Sequence, residues 1–211
     1  MTAGLVCLAL LAIVVELQGR SMRATTVAAL GLLASTVAVL RFVALTFPGL
    51  GGISPVFAPI ALGGFVFGAR FGFLLGALGL LASALVTGGV GPWLAFQMFA
   101  AGWMGATAGL LGKVVRGRGE VAALAVFGFV WGLLFGVAMD LYFWPFVAGA
   151  TEGDLAAIVG RFAVFYAATS LWWDVTRAVG NLVLLLAIGA PLLRALRRFE
   201  RRFDFVYAPG P

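Results

Sequence analysis

The sequence predicts an all-α membrane protein, and three observations carry that prediction. Hydrophobic residues make up 63% of the chain, and mean hydropathy is +1.12. Only 10% of residues are charged, against roughly 25% in a soluble domain. Apolar runs of membrane-crossing length alternate with short connections rich in Gly, Pro and Arg. The net charge of +6 would also suit nucleic acid, but the charges cluster at the ends of the apolar runs, where membrane orientation needs them. His is absent and the one cysteine, Cys7, lies in an apolar run. An internal disulfide is therefore excluded, and neither a His/Cys metal site nor a bound cofactor is expected.

The elements follow in order. Residues 2–17 form an apolar run closed by Glu16, Gln18, Arg20 and Arg23, without the basic start and small-residue cleavage site of a signal peptide. It is read as a first transmembrane helix. Residues 24–47 form a second span with small residues four apart: Ala24 and Ala28, Gly31 and Ser35, Ala34 and Ala38. Such rows let helix backbones approach closely. Arg41 sits near the far end of this span, where a long side chain reaches the interface. Pro48, Gly49, Gly51, Gly52, Ser54 and Pro55 then mark a loop.

Residues 56–69 are a shorter apolar run, turned at Arg70, and residues 71–86 cross back. Gly64, Gly68, Gly72 and Gly76 imply tight contact with neighbours. After a glycine-rich loop, Pro92 suits the first turn of the next helix. That helix covers residues 93–114, carries Trp93 and Gln97, and ends among Lys113, Arg116 and Arg118. Residues 120–147 form a long span with Asp140, Tyr142 and Trp144 in its final third. A short acidic loop with Glu152 and Asp154 leads into residues 161–190, read as one last span that runs on into Arg194, Arg197, Arg198, Arg201 and Arg202. Seven spans with the C-terminus inside satisfy the positive-inside rule. Arg41 and Arg161, near outer helix ends, are exceptions. The C-terminal arginines read as orientation signals and lipid contacts.

The last run holds the main functional clue. Asp174, Arg177 and Asn181, three and four residues apart, share one helical face, with Ser170 a turn earlier. If residues 161–190 are one helix, Asp174 lies about 20 Å below its start, near the midplane. Each charge costs about 2.5–3.5 kcal/mol in hydrocarbon, so that face must meet protein or a water-filled cavity. Asp140 lies about 10 Å below the end of its own helix, with Trp144 one turn away. Arg41, Trp93, Gln97, Tyr166, Trp172 and Trp173 complete an outward-facing pocket with aromatic walls. The bland readings are an Asp174–Arg177 structural ion pair, an interfacial aromatic belt, and Gln97 as glue between helices.

HExxH and GxSxG motifs are absent. Gly112-Lys113 has Thr107 and Val114 where a phosphate loop needs Gly and Ser/Thr. Energy for active transport must therefore come from a partner or an ion gradient.

The residues from Pro48 to Pro55, Gly68-Ala-Arg-Phe-Gly72, Gly89-Val-Gly-Pro-Trp-Leu-Ala-Phe-Gln97, Ala101-Gly-Trp-Met-Gly105, and Trp173-Asp174 through Arg177 and Asn181 resemble the substrate-binding S components of energy-coupling factor (ECF) vitamin transporters. The resemblance spans residues 24–202. It implies a six-helix substrate-binding membrane domain over 21–204, after an N-terminal transmembrane helix at 1–20 and before a tail at 205–211. It implies a plasma-membrane protein that catalyses nothing itself, docked on a transmembrane coupling protein with two ATPase subunits that use the ATP. The family's Ala-x-x-x-Ala docking motif falls on Ala24 and Ala28, with Ala34 and Ala38 as fallback. The loop 47–55 would be a lid. The ligand, a vitamin or cofactor precursor, would meet Arg41, Trp93, Gln97, Asp140, Trp144, Tyr166, Trp173, Asp174, Arg177 and Asn181. The extra N-terminal helix departs from the family pattern. Two other classes compete: an ion-coupled carrier using Asp140 and Asp174, and a membrane enzyme with paired carboxylates. Symmetry-related halves, the mark of many carriers, are not evident.

Overall fold

The computed structural model describes residues 24–46 and 54–203. Residues 1–23, which carry the predicted first helix, lie outside it, as does most of the predicted lid loop. Seven α-helices are described: α1 (Ala24–Thr46), α2 (Phe57–Phe67), α3 (Ala69–Thr87), α4 (Leu94–Val114), α5 (Glu120–Phe143), α6 (Leu155–Thr169) and α7 (Leu171–Phe203). A 3-10 turn, Trp144–Phe146, follows α5. Helices α1, α3, α4, α5 and α7 are long and apolar enough to cross a membrane. This is an all-α, multi-pass membrane protein.

Helix α2 is the centre of the bundle. Its 11 residues reach about 16 Å, too little for a hydrocarbon core of about 30 Å. Phe57, Ala58, Ile60, Ala61, Leu62 and Phe65 are all buried, so α2 is enclosed by protein. Gly68 turns the chain from α2 into α3 with φ +94°, a left-handed value that favours glycine.

The predicted tight contacts of the glycine rows are present, between helices of the chain itself. A methyl on Gly72 would overlap the carbonyl oxygen of Gly105, and a methyl on Gly105 would overlap that of Gly72. Gly76 meets the Ala101 carbonyl in the same way, and Gly64 meets Gly105. Backbones of α2, α3 and α4 thus touch directly, as small residues allow in membranes. Helix α1 lies along α3, with Val37 against Gly79. Its inner face buries Ala34 and Ala38. The fallback docking pair is therefore covered by this chain's own helices and unavailable to a partner. Ala24 and Ala28 are exposed.

The largest correction concerns residues 161–190. They are not one helix: the chain breaks at Ser170, between α6 and α7. Thr169 donates its hydroxyl to the Phe165 carbonyl, and Ser170 donates its own to Asp140. Hydroxyls that bond locally or elsewhere compete with helix continuation. Asp174 accordingly sits in the first turn of α7, not about 20 Å into a span. Helix α6 has no buried residue. It lies on the end of α5, where Trp144 meets Phe162 edge-on at 5.3 Å and Phe165 at 5.5 Å between ring centres. Among the described residues, six helices pack together and α6 lies at their rim.

Candidate functional site

The site grows from the α5–α7 contact. Gly128, Gly132 and Gly136 recur every fourth residue on α5, with Asp140 one turn further. Asp174, Arg177 and Asn181 face them from α7, running the opposite way, with Ser170 just before its first turn. Asn181 Nδ2 donates to the Gly128 carbonyl at 3.0 Å. Arg177 Nη1 donates to the Gly132 carbonyl at 3.2 Å and to Asp174 Oδ1 at 2.6 Å. The Asp174 carboxylate fills the space that any side chain at Gly136 would need. Ser170 Oγ donates to Asp140 Oδ1 at 2.9 Å. The glycines let α7 come close enough for its polar side chains to reach α5 backbone oxygens.

Arg177 is fixed on a third side, its guanidinium 5.5 Å from the centre of the Phe135 ring, a cation–π distance. Phe135 in turn meets Phe57 of α2 edge-on at 4.9 Å. Arg41 of α1 lies within electrostatic range of Arg177, and Asp140 within range of both Arg177 and Asp174. Arg177 thus stands against both carboxylates, with Arg41 beyond it. The Tyr166 hydroxyl of α6 lies beside the Asp174 carboxylate, close enough to interact with it.

Asp174 and Asn181 are each 1% exposed. Among the described residues, Asp140 Oδ2, Asp174 Oδ2, Asn181 Oδ1 and Trp144 Nε1 are buried without a hydrogen-bond partner. Each such atom costs about 1–3 kcal/mol. A purely structural seam would be expected to satisfy them.

Of the residues singled out in the sequence, Arg41, Asp140, Tyr166, Asp174 and Arg177 come together here, while Asn181 lies opposite Gly128 about 10 Å further along α7 and Trp144 one turn beyond Asp140. Trp173 does not: it is 53% exposed, because the residue before Asp174 projects about 100° around the helix. Trp172 is exposed too. Trp93 is largely exposed, with its indole N–H donated to the Gly89 carbonyl of its own loop. Gln97 is half-buried on α4, next to Phe96, whose ring lies 4.0 Å from Tyr142 of α5. The glycine stripe of α5 was missed in the sequence reading. Its signal was there, since 128, 132 and 136 lead at the same spacing to Asp140.

Helices of spanning length around a buried, incompletely satisfied polar group define a multi-pass membrane protein. The family comparison makes this specific. Residues 21–198 match the family described as "ECF-type riboflavin transporter, S component", and the chain belongs to that family. S components are the substrate-binding subunits of ECF transporters, a transporter family rather than an enzyme family. Comparison with curated proteins and with solved structures gives no significant match.

Proposed function

We propose that this chain is the high-affinity binding subunit of an ECF-type importer in the plasma membrane, with its C-terminus in the cytoplasm. Its ligand is a vitamin or cofactor precursor, and the family description makes riboflavin the first candidate. The ligand binds where α1, α5, α6 and α7 meet. The observation that carries this reading is the set of buried polar atoms left without partners on Asp140, Asp174, Asn181 and Trp144. At the Asp140–Asp174 end they offer two carboxylate acceptors and the Trp144 donor beside aromatic surface, which suits a polar heteroaromatic guest. Two acids and two arginines leave no net charge, so a neutral or zwitterionic molecule fits best.

Arg177 acts by holding Asp174 in place, and Tyr166 closes the site from α6. Trp93, Gln97 and Trp173 join only if the far-end loops fold inward on the ligand. Transport needs a transmembrane coupling protein and two ATPases, which hydrolyse the ATP and reorient the whole subunit. Ala24 and Ala28 are the docking pair.

Native mass spectrometry of gently purified protein tests the ligand, followed by titration of riboflavin and a vitamin panel. A co-purified vitamin, bound at least tenfold more weakly after Asp174→Ala or Arg177→Ala, is the expected result. Binding of no panel member, or unchanged affinity in both folded variants, would overturn the assignment.

A further inference from the structure

At the opposite, arginine-bearing end, a polar cleft of about 430 Å³ opens between the ends of α2, α4, α5 and α7. Gly112, Arg116, Glu120, Arg197, Glu200 and Arg201 line it, above Phe65 and Val66. Glu120 is 7% exposed. It is gripped by Arg197 through two bonds of 2.9 and 2.7 Å and accepts the Gly117 N–H at 3.0 Å. Glu200 also acts electrostatically on Arg197. Glu120 is committed to Arg197, with Arg116 also within its electrostatic range. Arg116 and Arg201 are exposed on the rim, and among the described residues neither has an ion-pair partner.

We infer that this cleft is a phosphate site, and that its occupant is the headgroup phosphate of an anionic phospholipid. Three features support the assignment. Two guanidinium forks, the geometry that matches phosphate oxygens, face a common space. Arg197 is held rigid by a buried acid, so the cleft wall is preorganised. Arg116 follows the end of a spanning helix, beside apolar Phe65 and Val66, which is headgroup depth rather than bulk solvent. Seating an anion here would fasten the tip of α7 to the ends of α2 and α4. The assignment is independent of which vitamin the far end binds.

The test is native mass spectrometry of the protein titrated with dioleoyl phosphatidylglycerol or dioleoyl phosphatidylcholine. Phosphatidylglycerol is expected to be retained preferentially. The double variant Arg116→Gln/Arg201→Gln should weaken that retention about 25-fold, two arginines' share of the attraction to anionic lipid. Arg194→Gln/Arg198→Gln, which removes two exposed arginines outside the cleft, should change it less than threefold. Competition with inorganic phosphate separates the sources: retention that survives millimolar phosphate assigns the site to lipid, and displacement assigns it to the free anion. Equal retention by wild type and the cleft variant, or equal loss in both double variants, would overturn the inference.

Discussion

Two halves of this molecule are held together by opposite means. In α2, α3 and α4, glycines bring bare backbones into contact, with Gly72 and Gly105 each occupying the space that the other's side chain would need. Between α5 and α7, Gly128 and Gly136 of α5 are met by side chains, and the gap there is filled by Asp174, Arg177 and Asn181, with Ser170 reaching Asp140. The first contact is built of backbone and apolar side chains. The second leaves polar atoms unmatched. Close backbone contact makes a scaffold, whereas an under-satisfied seam is what a guest can complete. A protein that must be rigid on one side and receptive on the other separates the two along its helix pairs.

Breaking the scaffold should have the largest effect. Gly105→Val places two methyls inside the α3 backbone, with no flexible side chain to yield, and is expected to cost about 4 kcal/mol or more. Thermal unfolding in detergent should show a collapse in Tm or no folded protein.

Disturbing the seam should cost less and behave differently. Arg177→Met leaves Asp174 buried without its cation, at about 3 kcal/mol. The double variant Asp174→Leu/Arg177→Met should be more stable than Arg177→Met alone, because it removes the stranded charge as well. A double variant less stable than the single one would show that the pair stabilises the fold in its own right.

Gly136→Ala sharpens the comparison further. Its methyl falls on the Asp174 carboxylate, so a shift of that side chain at about 1–3 kcal/mol is expected, with ligand affinity falling more than stability. Equal losses in calorimetry and thermal unfolding would contradict the separation of roles. Asn181→Leu should be the mildest. One interhelical hydrogen bond in a membrane averages about 0.6 kcal/mol, so Tm should fall by only a few degrees.

Much of this division was legible in the sequence, for identifiable reasons. The four-residue spacing of Gly64, Gly68, Gly72 and Gly76 announced close helix contact, and helix periodicity put Asp174, Arg177 and Asn181 on one face. What escaped was depth and partnership. Hydropathy runs unbroken across Thr169-Ser170, so nothing apolar or charged marked the break that places Asp174 in a first turn. Trp173 looked like a pocket wall because aromatics near buried charge usually are, yet adjacent helix positions cannot share a face. The peripheral place of α6, with no residue fully buried, could not be read from composition, since lipid-facing and core-facing residues are equally apolar. Gly128, Gly132 and Gly136 gained meaning only when α7 was laid against them.

The central claim is that the Asp140–Asp174 end of the α5–α7 seam receives the vitamin. Calorimetric Kd values for riboflavin, or for whichever panel vitamin binds most tightly, test it in lipid nanodiscs with Asp140→Asn, Asp174→Asn and Glu120→Gln. The account predicts at least tenfold weaker binding for both aspartate variants and wild-type affinity for Glu120→Gln at the other end of the bundle. Affinities within twofold of wild type for all three folded variants would contradict it.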